Sequence, residues 1–215
     1  MEPLLALCRA IAAGDDAAAA LRRAPELARA RLGGGATRAQ AKAFFLDDIQ
    51  HYVYAGDTAL HVAAAAYDLA LARRLLTLGA DVGARNRRGA TPLHYAADGG
   101  PDAASWNPRA QAAMIARLVA AGAEVDAADA SGTTPLQRAV RNRCAAAVKA
   151  LLAAGADPAR DNGRGSTART LATMTTGRGG AGSPAAKEQQ RVIERLLGAA
   201  PPPGSTGRRG SSPTR

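Results

Sequence analysis

Thr58-Ala59-Leu60-His61, Thr91-Pro92-Leu93-His94 and Thr134-Pro135-Leu136-Gln137 are versions of one phrase, each opening an alanine-rich run. Thr58 and Thr91 stand 33 residues apart, and so do Thr134 and Thr167, where the weaker copy Thr167-Ala168-Arg169-Thr170 begins. The end of the period recurs as well, in Leu75-Leu76-Thr77-Leu78-Gly79-Ala80-Asp81, Leu118-Val119-Ala120-Ala121-Gly122-Ala123 and Leu151-Leu152-Ala153-Ala154-Gly155-Ala156-Asp157. Self-similarity at a period of about 20–50 residues marks a stacked array whose units cannot bury their apolar faces alone. Such a chain folds as a stack, and a stack offers a surface more readily than a pocket.

Each residue of the phrase has a physical task. Thr91 can accept a backbone N–H bond at a helix start, and Pro92 follows where its missing N–H would be unpaired anyway. Leu93 faces the core, and the alanines let helices approach closely. Gly79, Gly122 and Gly155 fall where each second helix must end in a left-handed conformation. Asn86-Arg87-Arg88-Gly89, Asp129-Ala130-Ser131-Gly132 and Asn162-Gly163-Arg164-Gly165 have the Asn/Asp-to-Gly chemistry of tight hairpin tips.

Gly89-Ala90-Thr91-Pro92-Leu93-His94-Tyr95-Ala96-Ala97, with the Leu118–Ala123 ending, resembles the ankyrin repeat family, whose unit is a β-turn and two antiparallel helices. The resemblance implies an all-α fold: an ankyrin-type helix-turn-helix repeat solenoid with short β-hairpin turns. It covers four repeats, 56–88, 89–131, 132–164 and 165–198. Residues 1–32 read as a degenerate helical cap repeat, with Leu7, Ala10, Gly14 and Leu21 at repeat spacing and Asp15 and Asp16 placed to cap its second helix. At the other end Lys187–Leu197 predicts a closing helix that buries Val192, Ile193, Leu196 and Leu197. Residues 199–215, opening on three prolines, read as a disordered basic tail.

The hydrophobic share is 47% with only 3% aromatics, a composition for an alanine–leucine core. Cys8 and Cys144 lie in different repeats with no metal spacing, as expected of small buried hydrophobes in a reducing compartment. Glu2, Cys8 and Arg9 interrupt what a secretory signal needs, and no stretch approaches the ~18 apolar residues of a membrane span. A cytoplasmic monomer is expected. The net charge of +10 raises the question of nucleic acid. Arg85, Arg87 and Arg88 at the first tip and Arg160 and Arg164 at the third are separated by Asp126 and Asp129, so the continuous basic face of a phosphate binder is not formed.

Three insertions interrupt the period. From Leu7 to Leu60 the chain is twenty residues longer than one period, and the surplus reads as an inserted helix and aromatic linker, 33–55. Its helix is predicted over Thr37 to about Ile49, with Asp47 and Asp48 as solvated helix carboxylates. Phe44 and Phe45 read as rings covering an imperfect joint, while Tyr52 and Tyr54 fit either that use or an anchor for a partner. Pro101–Ala110 enters the second repeat between its helices and Gly177–Glu188 enters the fourth at the same place, each resuming on a glutamine, Gln111 and Gln189. At ~8–10 Å per packed helix the two loops stand roughly 20 Å apart and are expected to make one composite surface, with a notch floored by Arg143 and Cys144.

Catalytic chemistry finds no support. Gly177–Ser183 has the outer glycines of a phosphate loop but Ser183 where the lysine must be. His61 and His94 belong to the repeat phrase, and His51 has no cysteine, serine elbow or second ligand beside it. No enzyme, cofactor or metal is expected. The family resemblance implies a protein-binding adaptor or scaffold using the concave side, its tips and inner helices, against an unidentified partner that could carry an acidic surface. On this chain that selects Arg85, Arg87, Arg88, Tyr67, Tyr95, Arg138, Arg141, Asn142, Arg143 and Arg164, with Trp106 and Arg178 on the loops. The alternative is a basic accessory protein that binds nucleic acid or another anion.

Overall fold

The computed structural model describes residues 2–174 and 183–198. Helices α1 (Pro3–Ala13) and α2 (Ala17–Arg23) form a first antiparallel pair, followed by a 3-10 turn at Pro25–Ala28. Of the two expected caps, Asp16 is the one that serves, accepting the Ala19 N–H at 3.0 Å. Four further pairs follow the inserted segment: α3 (Ala59–Ala65) with α4 (Leu69–Thr77), α5 (Pro92–Ala96) with α6 (Pro108–Ala120), α7 (Pro135–Arg141) with α8 (Ala145–Ala153), and α9 (Ala168–Thr173) with α10 (Pro184–Leu197). The first helix of each pair stacks on its neighbours as an inner layer, α1 to α9 in order, while α4, α6, α8 and α10 stack as an outer layer.

The phrase explains the stacking. Leu60, Leu93 and Leu136 are fully buried, each contributing roughly 1.5–3 kcal/mol of hydrophobic stabilisation. Its fourth residue ties one repeat to the next. The Thr91 N–H donates to His94 Nδ1 at 3.1 Å, so the ring proton sits on Nε2 and is donated to Thr133 O at 3.0 Å. His61 does the same between Thr58 and Ala90 O. In the third repeat Gln137 replaces the ring, accepting from the Thr134 N–H and donating to Arg160 O and Ser166 O. Even the weak copy works, since Thr167 and Thr170 form a reciprocal capping box. The hairpin tips are linked by backbone bonds, Arg87 N–H to Ala55 O at 2.8 Å and Ala130 N–H to Arg88 O at 2.9 Å. Gly132 has φ +79°, and a Cβ there would stand 2.1 Å from Asn162 O, so neighbouring tips meet at a distance that only glycine permits.

The inserted segment departs from the expected helix. Within 37–49 the chain forms 3-10 turns at Lys42–Phe44 and Asp47–Ile49, and strand β1 (Phe45–Leu46) pairs antiparallel with β2 (His51–Tyr52) in the register Phe45 to Tyr52 and Leu46 to His51. Asp47 and Asp48 therefore belong to the hairpin's connecting turn, which closes with Gln50 at φ 51°. Val53 and Leu46 are buried and anchor the hairpin on the core. Phe44 packs against that core, as expected, while the Phe45 and Tyr52 rings lie 4.6 Å apart with Tyr52 39% exposed.

Two registers also shift. The last three residues of the Pro101–Ala110 insertion become the first turn of α6, which starts at Pro108 with Asn107 as its cap. Gln190, not Gln189, is the counterpart of Gln111: each donates its side-chain amide to an inner-helix alanine carbonyl, Ala172 and Ala96. Gln189 instead accepts the Ala145 N–H at the start of α8. In α10 Ile193 and Leu197 are buried one turn apart, whereas Val192 is half-buried and Leu196 is exposed, because they lie on the flanks of that stripe.

Candidate interaction surface

The inner helices carry a column of side chains two residues past the buried leucines, and in α5 and α7 these are Tyr95 and Arg138. Tyr95 is only 2% exposed. Its hydroxyl donates to Asp57 Oδ2 at 2.6 Å and accepts from Asn86 Nδ2, which also donates to Asp57 Oδ1 at 2.8 Å. Burial, then the Asp57 charge, raises the Tyr95 pKa, so the phenol stays a donor.

Asp98, just beyond the end of α5, is the node of a second network. Its Oδ2 accepts from His51 Nε2 at 3.0 Å and from Arg138 at 2.9 Å, and its Oδ1 accepts from Asn142 Nδ2 at 3.0 Å. Arg138 reaches on to Asp129 at 3.1 Å. The backbone oxygen of Asp98 takes the Tyr67 hydroxyl and the Gln111 amide. Burial alone would raise the Asp98 pKa; the Arg138 charge and the His51 hydrogen bond outweigh it and bring the carboxyl down to about 2. Burial likewise works against the Arg138 cation, and Asp98 and Asp129 more than compensate. Ionised groups so nearly desolvated persist because each has a partner. The string is an ordered electrostatic template, fixed in charge at neutral pH.

The inserted hairpin reaches this template. The His51 ring lies 4.2 Å from the Tyr95 ring, and its Nδ1 faces Tyr52 O at 2.7 Å. The first-tip arginines hold the segment from the side. Arg87 donates to Ala36 O and lies over the Tyr54 ring, and Arg88 donates to the Tyr54 hydroxyl at 3.0 Å and stands 5.0 Å above the same ring. Arg85 bonds Gly89 O, Ala128 O and Glu124.

The residues expected to be free for a partner thus separate. Tyr95 is core; Arg138 and Asn142 are drawn to the mostly buried Asp98 carboxylate, and Tyr67 to the Asp98 backbone oxygen. Arg85, Arg87 and Arg88 are exposed but already engaged. Arg141 is exposed, with a single long contact to Thr133 Oγ1 at 3.3 Å, and Arg164 is exposed at the third tip. Arg143 is half-buried with φ +58° in the turn between α7 and α8. Trp106 is half-buried, its Nε1 donating to Gln111 Oε1. Arg178, the phosphate-loop-like Gly177–Gly182 run and the tail lie outside the described residues. Cys144, expected on the floor of a notch between the loops, is buried, its thiol donating to Gly99 O at 2.9 Å, and burial pushes that thiol up to about 12. Residues 177–182 of the second loop, which would bound the notch, lie outside the described residues. Sequence reasoning passed over His51, Asp98, Asp57 and Asp129 as a set; the only local signal is an acid following the Tyr95-Ala96-Ala97 helix end.

Residues 16–106, and overlapping them 60–162, match a family model described as ankyrin repeats in three copies. A comparison with curated proteins returned no match.

Proposed function

Because the chain belongs to the ankyrin repeat family, whose repeats are generally protein–protein interaction modules, we propose that it is a non-catalytic adaptor or scaffold, a cytoplasmic monomer that binds an acidic partner surface along its concave side. No described helix is long and apolar enough to cross a membrane. The observation that carries the reading is the contrast along that side. The first-tip cations Arg87 and Arg88 are spent on the inserted segment and the inner-helix Arg138 on Asp98 and Asp129, while Arg141 and Arg164 stand exposed on the third repeat and its far tip. The free surface therefore lies toward the C-terminal half of the stack.

Reversal of Arg87 and Arg88 would test the hold on Tyr54 as much as binding, so the informative variant is Arg141→Glu with Arg164→Glu. Affinity purification from the native host at moderate salt, with and without nuclease, should recover a defined protein that the double reversal loses through slower association. Tight binding to random oligonucleotides, falling steeply with salt and abolished by the same reversal, would overturn the reading in favour of nucleic acid.

A further inference from the structure

His51 is the side chain that the inserted hairpin lays on the concave side. Its niche has a floor, the Tyr95 ring at 4.2 Å, and a wall, the Asp98 carboxylate at 3.0 Å. Arg138 and Asn142 hold that carboxylate from its other sides, so it is aimed before anything docks on it. Both nitrogens of His51 face oxygens that only accept, Tyr52 O and Asp98 Oδ2. An aromatic ring at 4.2 Å, tilted 38° to the imidazole, and an ionised carboxylate at 3.0 Å are together the recognition chemistry of a flat cation. Leu46, paired with His51 across the hairpin, and Val53, two residues on, share its face and are buried, so the hairpin keeps its apolar anchors when His51 leaves.

We propose that His51 fills in cis a niche built for a planar cationic side chain, and that an arginine or histidine of a partner displaces it, loosening the inserted hairpin as it enters. The proposal rests on the adaptor reading only in taking the visitor from a protein; its cationic character follows from the niche, apart from the acidic surface that would meet Arg141 and Arg164. Displacement removes the contact that fastens β2 to α5, while the Tyr54 clasp and the Ala36 to Val53 backbone bond hold the base.

The test uses the full chain as wild type, His51→Ala and His51→Gln, with imidazole and ethylguanidinium as probes. Loss of a charge-assisted bond should speed amide exchange at Val53, whose N–H bonds Phe44 O across the hairpin, by about tenfold or more in His51→Ala, with Ala36 and α8 unchanged. His51→Gln, which keeps one donor toward Asp98, should fall between. Either probe should shift the Tyr95 ring resonances of His51→Ala at millimolar concentration and restore hairpin protection, and adding Asp98→Asn should abolish the rescue. Unchanged exchange in His51→Ala, a rise shared equally by α8, or no response to either cation would overturn the proposal. Failure of the concave-side reading would show instead in the Arg141 and Arg164 reversal, so the two are separable.

Discussion

Acid should weaken this stack through the histidines of its own repeat phrase, and replacing one of them by the residue that the third repeat already uses should remove that residue's share of the sensitivity. His94 is fully buried and bonded in its neutral form: Nδ1 accepts from the Thr91 N–H and Nε2 donates to Thr133 O. Burial first, then the charge of Arg138, lowers its pKa from 6.5 to about 4. The unfolded chain therefore binds more protons than the folded one between those values. Stability is full above pH 6.5 and is lost as pH falls, with the loss complete below about 4. Such a shift corresponds to about 3 kcal/mol for this ring alone, of which about 2.5 kcal/mol should be gone at pH 4.5. His61 is shifted in the same direction by burial and adds to the loss. His94→Gln should reproduce the Gln137 arrangement, an acceptor for the threonine N–H and a donor to the next repeat. Urea unfolding at pH 7.5 should place His94→Gln within about 1.5 kcal/mol of wild type. His94→Ala, which strands a buried donor and a buried acceptor, should lose about 2–4 kcal/mol. Between pH 7.5 and 4.5 the glutamine variant should lose about 2.5 kcal/mol less than wild type. An unchanged acid loss in His94→Gln, or equal damage by Gln and Ala at pH 7.5, would refute the reasoning.

Leu93→Ala or Leu136→Ala should each cost ~2–5 kcal/mol in urea unfolding, with amide protection lost in the adjoining repeats before distant ones, because coupling in a stack is nearest-neighbour. Gly132→Ala should cost ~2 kcal/mol or more by the same measurement, since it adds both a positive-φ penalty and a methyl 2.1 Å from Asn162 O. Arg138→Ala should cost ~3–5 kcal/mol by stranding two carboxylates, and NMR titration should find the Asp98 pKa well above its present value of about 2.

Local chemistry with a short range was legible from sequence. The Thr–His and Thr–Gln boxes, the terminal glycines at φ +86°, +95° and +91°, and the buried leucines follow from spacing within one repeat. The inserted segment was misread because Thr37–Phe44 is rich in good helix formers, and that weight hid the hairpin pattern after it: Phe44-Phe45-Leu46 and His51-Tyr52-Val53-Tyr54 around a polar connection. Long-range polar pairing was not legible. His51 and Asp98 are 47 residues apart and Arg138 another 40 from Asp98. Treating Tyr95 and Arg138 as free surface followed from their freedom to vary within the phrase, which says nothing about what an insertion elsewhere places against them.

The same point governs the charge. A net +10 suggests a sticky surface, yet several guanidinium groups here are structural donors. Arg31 bonds Arg85 O and Asp81, Arg87 bonds Ala36 O, Arg138 bridges two carboxylates, and Arg169 donates to Leu197 O at the end of α10. In an alanine-rich stack the small side chains leave backbone carbonyls at tips and helix ends within reach, and arginine offers five donors on a long stem to satisfy them. Each arginine so used is lost to a phosphate or an acidic partner unless the fold gives up that bond. Arg141 and Arg164, exposed on the third repeat, are the cations that the proposed acidic partner would meet.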